Sequence, residues 1–224
     1  ALNDLSRDLD YMEMADYWEK RIGELYPENE AYRWVQISNR YQEQKYNETE
    51  RMLEEVMDIF GEQSSDEISQ FLSRVYYLEG RYQDGVDLME EEYPELLEQP
   101  VKIDDSNDSW VVLYSDLLEK VGKIERAQQL RDTFCEFTEK QIDDSSNERE
   151  RTWNRWGEFS CLIYNKEYQE AIDLFDELYF EKNSRSDTPI YFKTGWELDV
   201  LENEPAFQQL KTRIMDDIHL QRSN

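Results

Sequence analysis

Residues Leu72–Met89, LSRVYYLEGRYQDGVDLM, decide the fold. Leu72-Ser73 is a large–small pair, Tyr76 and Tyr82 are aromatic, Gly80-Arg81 lies between them, and Gly85 and Met89 close the stretch as small and large. Each type has a mechanical task in a helix–turn–helix unit. Gly80 supplies the turn, Gly85 lets the second helix approach the first closely, and the two tyrosines fill the space beside that contact. Moving outward, small residues flanked by apolar ones recur at Ala15, Thr49, Gly85, Ala127, Ala171 and Ala206, at intervals of 34, 36, 42, 44 and 35 residues. Such a unit cannot bury its own apolar face and must stack on its neighbours.

Trp34, Ile37, Ser38, Tyr41, Tyr46, Thr49 and Leu53 repeat the pattern, with the turn read as one residue short. Tyr114, Ser115, Leu118, Gly122, Ile124, Ala127 and Phe134 form a third unit, and Tyr168, Ala171, Phe175 and Leu178 the second helix of a fourth. Trp196, Leu198, Leu201 and Glu204-Pro205-Ala206-Phe207 mark a fifth, with Pro205 at a helix start where its missing N–H costs nothing. On these residues, with YNKEYQEAIDLF from Tyr164 to Phe175 among them, the chain resembles the tetratricopeptide repeat family. The resemblance implies an all-α, right-handed solenoid of about five helical hairpins with a C-terminal capping helix. The expected repeats run roughly 1–28, 29–63, 64–106, 107–145, 146–187 and 188–224, all in one domain.

Composition agrees with helices. Only 7 Gly and 5 Pro occur in 224 residues, so few turns are needed. Charged residues are 35% of the chain, yet 13% aromatic content gives it enough apolar surface to fold. The balance of 53 acidic and 25 basic residues sets the net charge at -28, which opposes approach to nucleic acid or an anionic bilayer. A protein or peptide with a basic surface is the favoured partner, and the same charge also serves solubility. No apolar run approaches the roughly 20 residues of a membrane span, so no membrane insertion is expected.

The first unit has room for a first helix only over about Leu2 to Leu9, before Ala15, Ile22 and Pro27, which suggests that the chain starts inside a repeat and is the C-terminal part of a longer protein. Two connections lengthen the spacing, Glu92–Asn107 and Asp143–Glu150, and read as polar surface insertions. The final stretch, LENEPAFQQLKTRIMDDIHLQR (Leu201–Arg222), resembles the closing segment of tetratricopeptide regions in bacterial CadC-type winged-helix transcriptional regulators and related signalling proteins. That likeness implies a sensory role and a periplasmic location; without it a cytoplasmic location is expected.

No catalytic constellation is legible. His219 has only Asp216-Asp217 nearby and no nucleophile beside it, and neither a phosphate-binding glycine loop nor a paired-histidine metal motif is present. Asp104, Ser106 and Asp108 imitate the start of a calcium loop, but Ser109 and Ser115 stand where the glycine and the bidentate acid are needed. The expectation is therefore a non-enzyme with no cofactor and no metal. Glu90-Glu91-Glu92 reads as a solvated helix end. Cys135 and Cys161 fall on helices expected to pack together; two buried thiols and a disulfide both remain open, the latter implying an extracytoplasmic setting.

Recognition in such a fold is expected on the first helices, facing a concave groove. The candidates are Gln36, Asn39, Gln70, Arg74, Tyr77, Asp116, Trp153 and Trp156, because Tyr, Trp and Arg are the best anchors of a partner. The family's carboxylate clamp is not expected, since Val35, Phe71 and Leu113 occupy the corresponding faces. The functional expectation is a protein- or peptide-binding scaffold or sensor, with an extracytoplasmic ligand- or pH-sensing domain of a one-component regulator as the alternative.

Overall fold

The computed structural model describes residues 12–26, 29–60, 65–104, 107–181 and 196–223, and among these the regular structure is helical, with no strand. Ten α-helices follow in order: α1 (Met12–Leu25), α2 (Glu30–Gln42), α3 (Tyr46–Phe60), α4 (Ser65–Leu78), α5 (Tyr82–Glu92), α6 (Asp108–Lys120), α7 (Ile124–Asp144), α8 (Glu148–Tyr164), α9 (Tyr168–Asp176) and α10 (Pro205–Ser223). Short 3-10 turns add Pro94–Leu97 and Trp196–Leu201, and a single π turn, Glu177–Glu181, extends α9.

One turn recurs. Three residues separate α2 from α3, α4 from α5, α6 from α7 and α8 from α9, and the middle one always has positive φ: Gln44 (58°), Gly80 (75°), Gly122 (83°) and Lys166 (63°). The residue after it donates its N–H back to a carbonyl five positions earlier: Lys45 to Arg40, Arg81 to Tyr76, Lys123 to Leu118 and Glu167 to Leu162, at 2.8 to 2.9 Å. This left-handed cap satisfies orphan carbonyls of the first helix and ends it, and α4 packs on α5 and α6 on α7 across two of the four turns. The second unit is thus not a residue short, as its sequence suggested. Gln44 takes the left-handed position without being glycine, so Arg40 aligns with Tyr76 and Tyr41 with Tyr77.

The small residue has a constant register as well. Thr49, Gly85, Ala127 and Ala171 are each the fourth residue of the helix after the turn, and all are buried. A Cβ on Gly85 would stand 2.9 Å from Leu117 Cδ2, so the closest approach made there is to α6, the following helix, and not to its own partner α4. Ala206 departs from the pattern: it is the second residue of α10 and half-buried, while Phe207 turns inward with Leu210, Ile214 and Ile218. The side chain of Ala15 lies outside the described residues, as do Leu2–Leu9 and Pro27.

The chain divides into two compact units, one from Leu53 to Glu167 and one built from the residues on either side, up to Met52 and from Tyr168. In the first, α4 packs on α5, α5 on α6, α6 on α7 and α7 on α8. Every residue of α6 from Trp110 to Leu118 is buried, as expected of a helix with neighbours all round. In the second, α1 packs on α2 and α9 on α10, with Ala171, Ile172, Phe175, Leu178 and Tyr179 buried.

Both connections expected as polar insertions have more structure than that. Between α5 and α6, Tyr93, Leu96, Val101 and Asn107 are buried, and the Tyr93 ring lies 4.7 Å from that of Trp110. Asn107 donates to the Lys102 carbonyl and accepts from Asp104 N–H, while Arg126 on α7 donates to the Leu96 and Glu98 carbonyls at 2.5 and 3.1 Å. Apolar burial and these hydrogen bonds make the described part of this connection a packed one. The residues around Asp143–Glu150 are mostly helix, because α7 continues to Asp144 and α8 starts at Glu148. Asn147 caps α8 by accepting from Glu150 N–H, and Glu150 in turn accepts from the N–H and hydroxyl of Ser146.

Candidate functional site

The i, i+4, i+7 spacing puts Gln70, Arg74 and Tyr77 on one face of α4. All three are half-buried. The Tyr77 ring meets that of Tyr82 edge-on at 5.5 Å, and Lys120 Nζ stands 5.8 Å from the Tyr77 ring and 5.9 Å from the Tyr82 ring. An ammonium between two ring faces is held by their quadrupoles while its remaining donors stay available to solvent. Tyr76, one residue earlier, carries the Arg81 guanidinium 4.2 Å above its ring.

Asp116 is inward. It is 8% exposed and accepts from Arg131 Nη2 at 2.7 Å. Arg131 on α7 also bonds Glu119 on α6 and lies 4.4 Å from the centre of the Tyr164 ring on α8, so one side chain joins three helices. Burial works against the charge of Arg131, but the bonds to Glu119 and Asp116 more than offset it and raise its pKa. Asp116 therefore serves as the partner of a shielded guanidinium. Asn39 is likewise interior, fully buried on α2, where its amide donates to Glu19 on α1. Gln36, on the same helix and half-buried, donates to the Tyr32 hydroxyl at 3.1 Å.

Trp153 is the opposite case. At 75% exposure it is the most exposed large hydrophobic side chain among the described residues. Trp156 is half-buried, edge-on to Phe159 at 6.1 Å. Both stand on α8, which is tied to α7 by a disulfide between Cys135 and Cys161, with Cα atoms 5.7 Å apart. Gly157 allows that proximity: a Cβ there would come within 2.9 Å of Thr138 Cγ2 and Oγ1.

Several groups that carry this electrostatic pattern escaped the sequence reading. Glu90, taken as part of a solvated run, accepts from the buried Tyr114 hydroxyl at 2.9 Å and from Lys123 Nζ at 3.0 Å. Burial first, and then the adjacent Glu90 carboxylate, push the Tyr114 phenol above its ordinary value. Aligned by their turns, α3, α5, α7 and α9 each have an acid at the ninth position, Glu54, Glu90, Asp132 and Asp176, and three have one at the third, Glu48, Asp84 and Glu170. Seven of the 53 acidic residues are thus placed in register with the recurring turn. Among the described residues no group of three or more His, Cys, Asp or Glu side chains is arranged to hold a metal, and no helix is long and apolar enough to cross a membrane. The side chains of His219 and Ser109 lie outside the described residues. No protein-family model, curated protein or solved structure matches the chain.

Proposed function

We propose that this chain is a non-catalytic scaffold or sensor domain of the tetratricopeptide type, which holds a protein or peptide with a basic surface. The observation that carries the reading is the fourfold recurrence of one turn, followed at a fixed distance by a buried small residue and at another by an acid. A protein built by repeating a hairpin offers surfaces in series, and its partner is recognised by side chains standing on that frame. Gln70, Arg74 and Tyr77 on α4, Gln36 on α2 and Trp156 on α8 remain the candidates with part of their surface in solvent, and Trp153 is the anchor with the most to bury. Asn39 and Asp116 contribute by holding helices in place.

The test uses two fluorescent peptide series of equal length and aromatic content, one rich in Lys and Arg and the other in Glu. The basic series should bind and should weaken as salt rises, because screening at physiological strength acts beyond about 8 Å. Trp153→Ala should reduce that binding and leave the melting temperature unchanged, since truncating an exposed side chain removes little packing. Equal binding of both series, or binding indifferent to Trp153, would remove the basis for this assignment.

One observation favours the second reading, an extracytoplasmic sensing domain of a one-component regulator. The cysteines are joined, and such bonds persist in oxidising compartments. A winged-helix domain and one membrane span encoded upstream in the same gene would select it; further repeats alone would select the scaffold.

A further inference from the structure

α7 and α8 are the longest helices between Glu30 and Asp176, with 21 and 17 residues against 9 to 15 for the others. Their extra length is spent where they meet, at the tip of the hairpin they form. From Glu139 to Glu158 not one residue is buried, although the helices continue. Thr138 is the last buried position on α7 and Phe159 the first on α8. Gly157 packs against Thr138 at the base of this tip, and beyond it the hydrogen bonds that join the two helices are polar: Asn154 Nδ2 donates to the Gln141 carbonyl at 3.0 Å and to Ser145 Oγ at 3.1 Å, and Ser145 Oγ donates to the Gln141 carbonyl at 2.7 Å. The tip carries Trp153, and its base is crossed by the Cys135–Cys161 bond.

We infer that the α7–α8 tip is a redox-controlled arm, docked when Cys135 and Cys161 are joined and released when a dithiol reduces them. A segment without buried apolar residues opens locally at low cost, so the constraint at its base decides how long it stays closed. The bond is within reach of a reductant. Cys135 is half-buried and Cys161 buried, and in the inferred step the incoming thiolate of the dithiol attacks the Cys135 sulfur. A mixed disulfide forms there as the Cys161 sulfur leaves, and the second thiol of the reductant then displaces Cys135. In sum the Cys135–Cys161 bond breaks, the two cysteines take up two electrons and two protons, and the dithiol leaves as its own disulfide. The contacts of α4 with α5 and of α5 with α6 lie outside the bridged loop and remain. This behaviour does not depend on the identity of any partner, and under the scaffold reading it would control how Trp153 is presented.

Hydrogen exchange read by mass spectrometry on the full chain tests it, with oxidised protein, protein treated with dithiothreitol, and a Cys135→Ala/Cys161→Ala variant. Peptides covering residues 139–158 should exchange at least about tenfold faster in the reduced protein and the variant, while those covering 65–92 keep their protection. Replacing the reductant by oxidised glutathione, which takes up the two electrons and two protons and leaves as two thiols, should restore both the oxidised mass and the slow exchange. Unchanged exchange at 139–158, a mass that fails to gain two hydrogens on reduction, or loss of protection throughout 65–164 would each overturn the inference, the last by making the bond a general staple. The reduced wild type keeps the test decisive if the variant does not fold.

Discussion

Gln44 and Lys166 sit at φ of 58° and 63°, where a Cβ crowds the following carbonyl, whereas Gly80 and Gly122 take the same position without that contact. The left-handed region costs a residue with a side chain roughly 1–2 kcal/mol, and glycine returns part of that gain through its freer unfolded chain. Lys166→Gly should therefore stabilise the protein by about 0.5–1 kcal/mol in urea titration, and Gly122→Ala should destabilise it by about 1 kcal/mol. Gly122 is the clean site, because nothing lies within 4 Å of an added Cβ and only the backbone is tested. Beside Gln44, burial disfavours the Glu43 carboxylate, but hydrogen bonds from Lys45 and Arg40 override it and hold its pKa below the usual carboxylate range. A carboxyl depressed on folding stabilises the native state above its unfolded pKa, and this contribution is lost as the pH falls through the folded value. Glu43→Gln should flatten the dependence of urea stability on pH below about 4.5, with little change in its shape above pH 6.

At the scale of the helix, packing is set by where small residues allow approach. On α8, Gly157 faces Thr138 at a distance that leaves no room for a side chain, with Phe134 Cζ 3.4 Å from the same point. Gly157→Leu should cost about 1–3 kcal/mol by overpacking, measurable as a fall in melting temperature, whereas Trp153→Leu one turn away should be nearly neutral. Helix content and the small positions Thr49, Gly85, Ala127 and Ala171 were legible in the sequence, because a small residue among apolar ones at helical spacing is a local signal. The turn of the second unit was not, because its left-handed residue is Gln44, whereas glycine is the residue whose presence announces such a turn. Nor could the facing of Asn39 and Asp116 be read. A polar residue on a first helix looks solvent-directed until Glu19 and Arg131, supplied by other helices, are placed against it. The Arg131 cluster was hidden for the same reason, since Asp116 and Tyr164 lie 15 and 33 residues from it. The packing of Tyr93, Leu96 and Val101 was missed because Pro94 and Pro100 announce a loop and say nothing of what it covers.

Over the whole molecule, a chain of net charge -28 repels itself, and it tolerates this by spacing its acids along the helices and pairing several of them, as Glu90 with Lys123 and Asp176 with Arg213. The recurrence of those acids has meaning only if the turns recur, so the functional reading stands on the turn. Backbone NMR of the full chain measures it directly. Helical secondary shifts should break at residues 43–45, 79–81, 121–123 and 165–167, with couplings that report positive φ at Gln44, Gly80, Gly122 and Lys166. Negative φ at Gln44 or Lys166, or helix running unbroken through any of the four triplets, would contradict the account of this protein as one turn repeated.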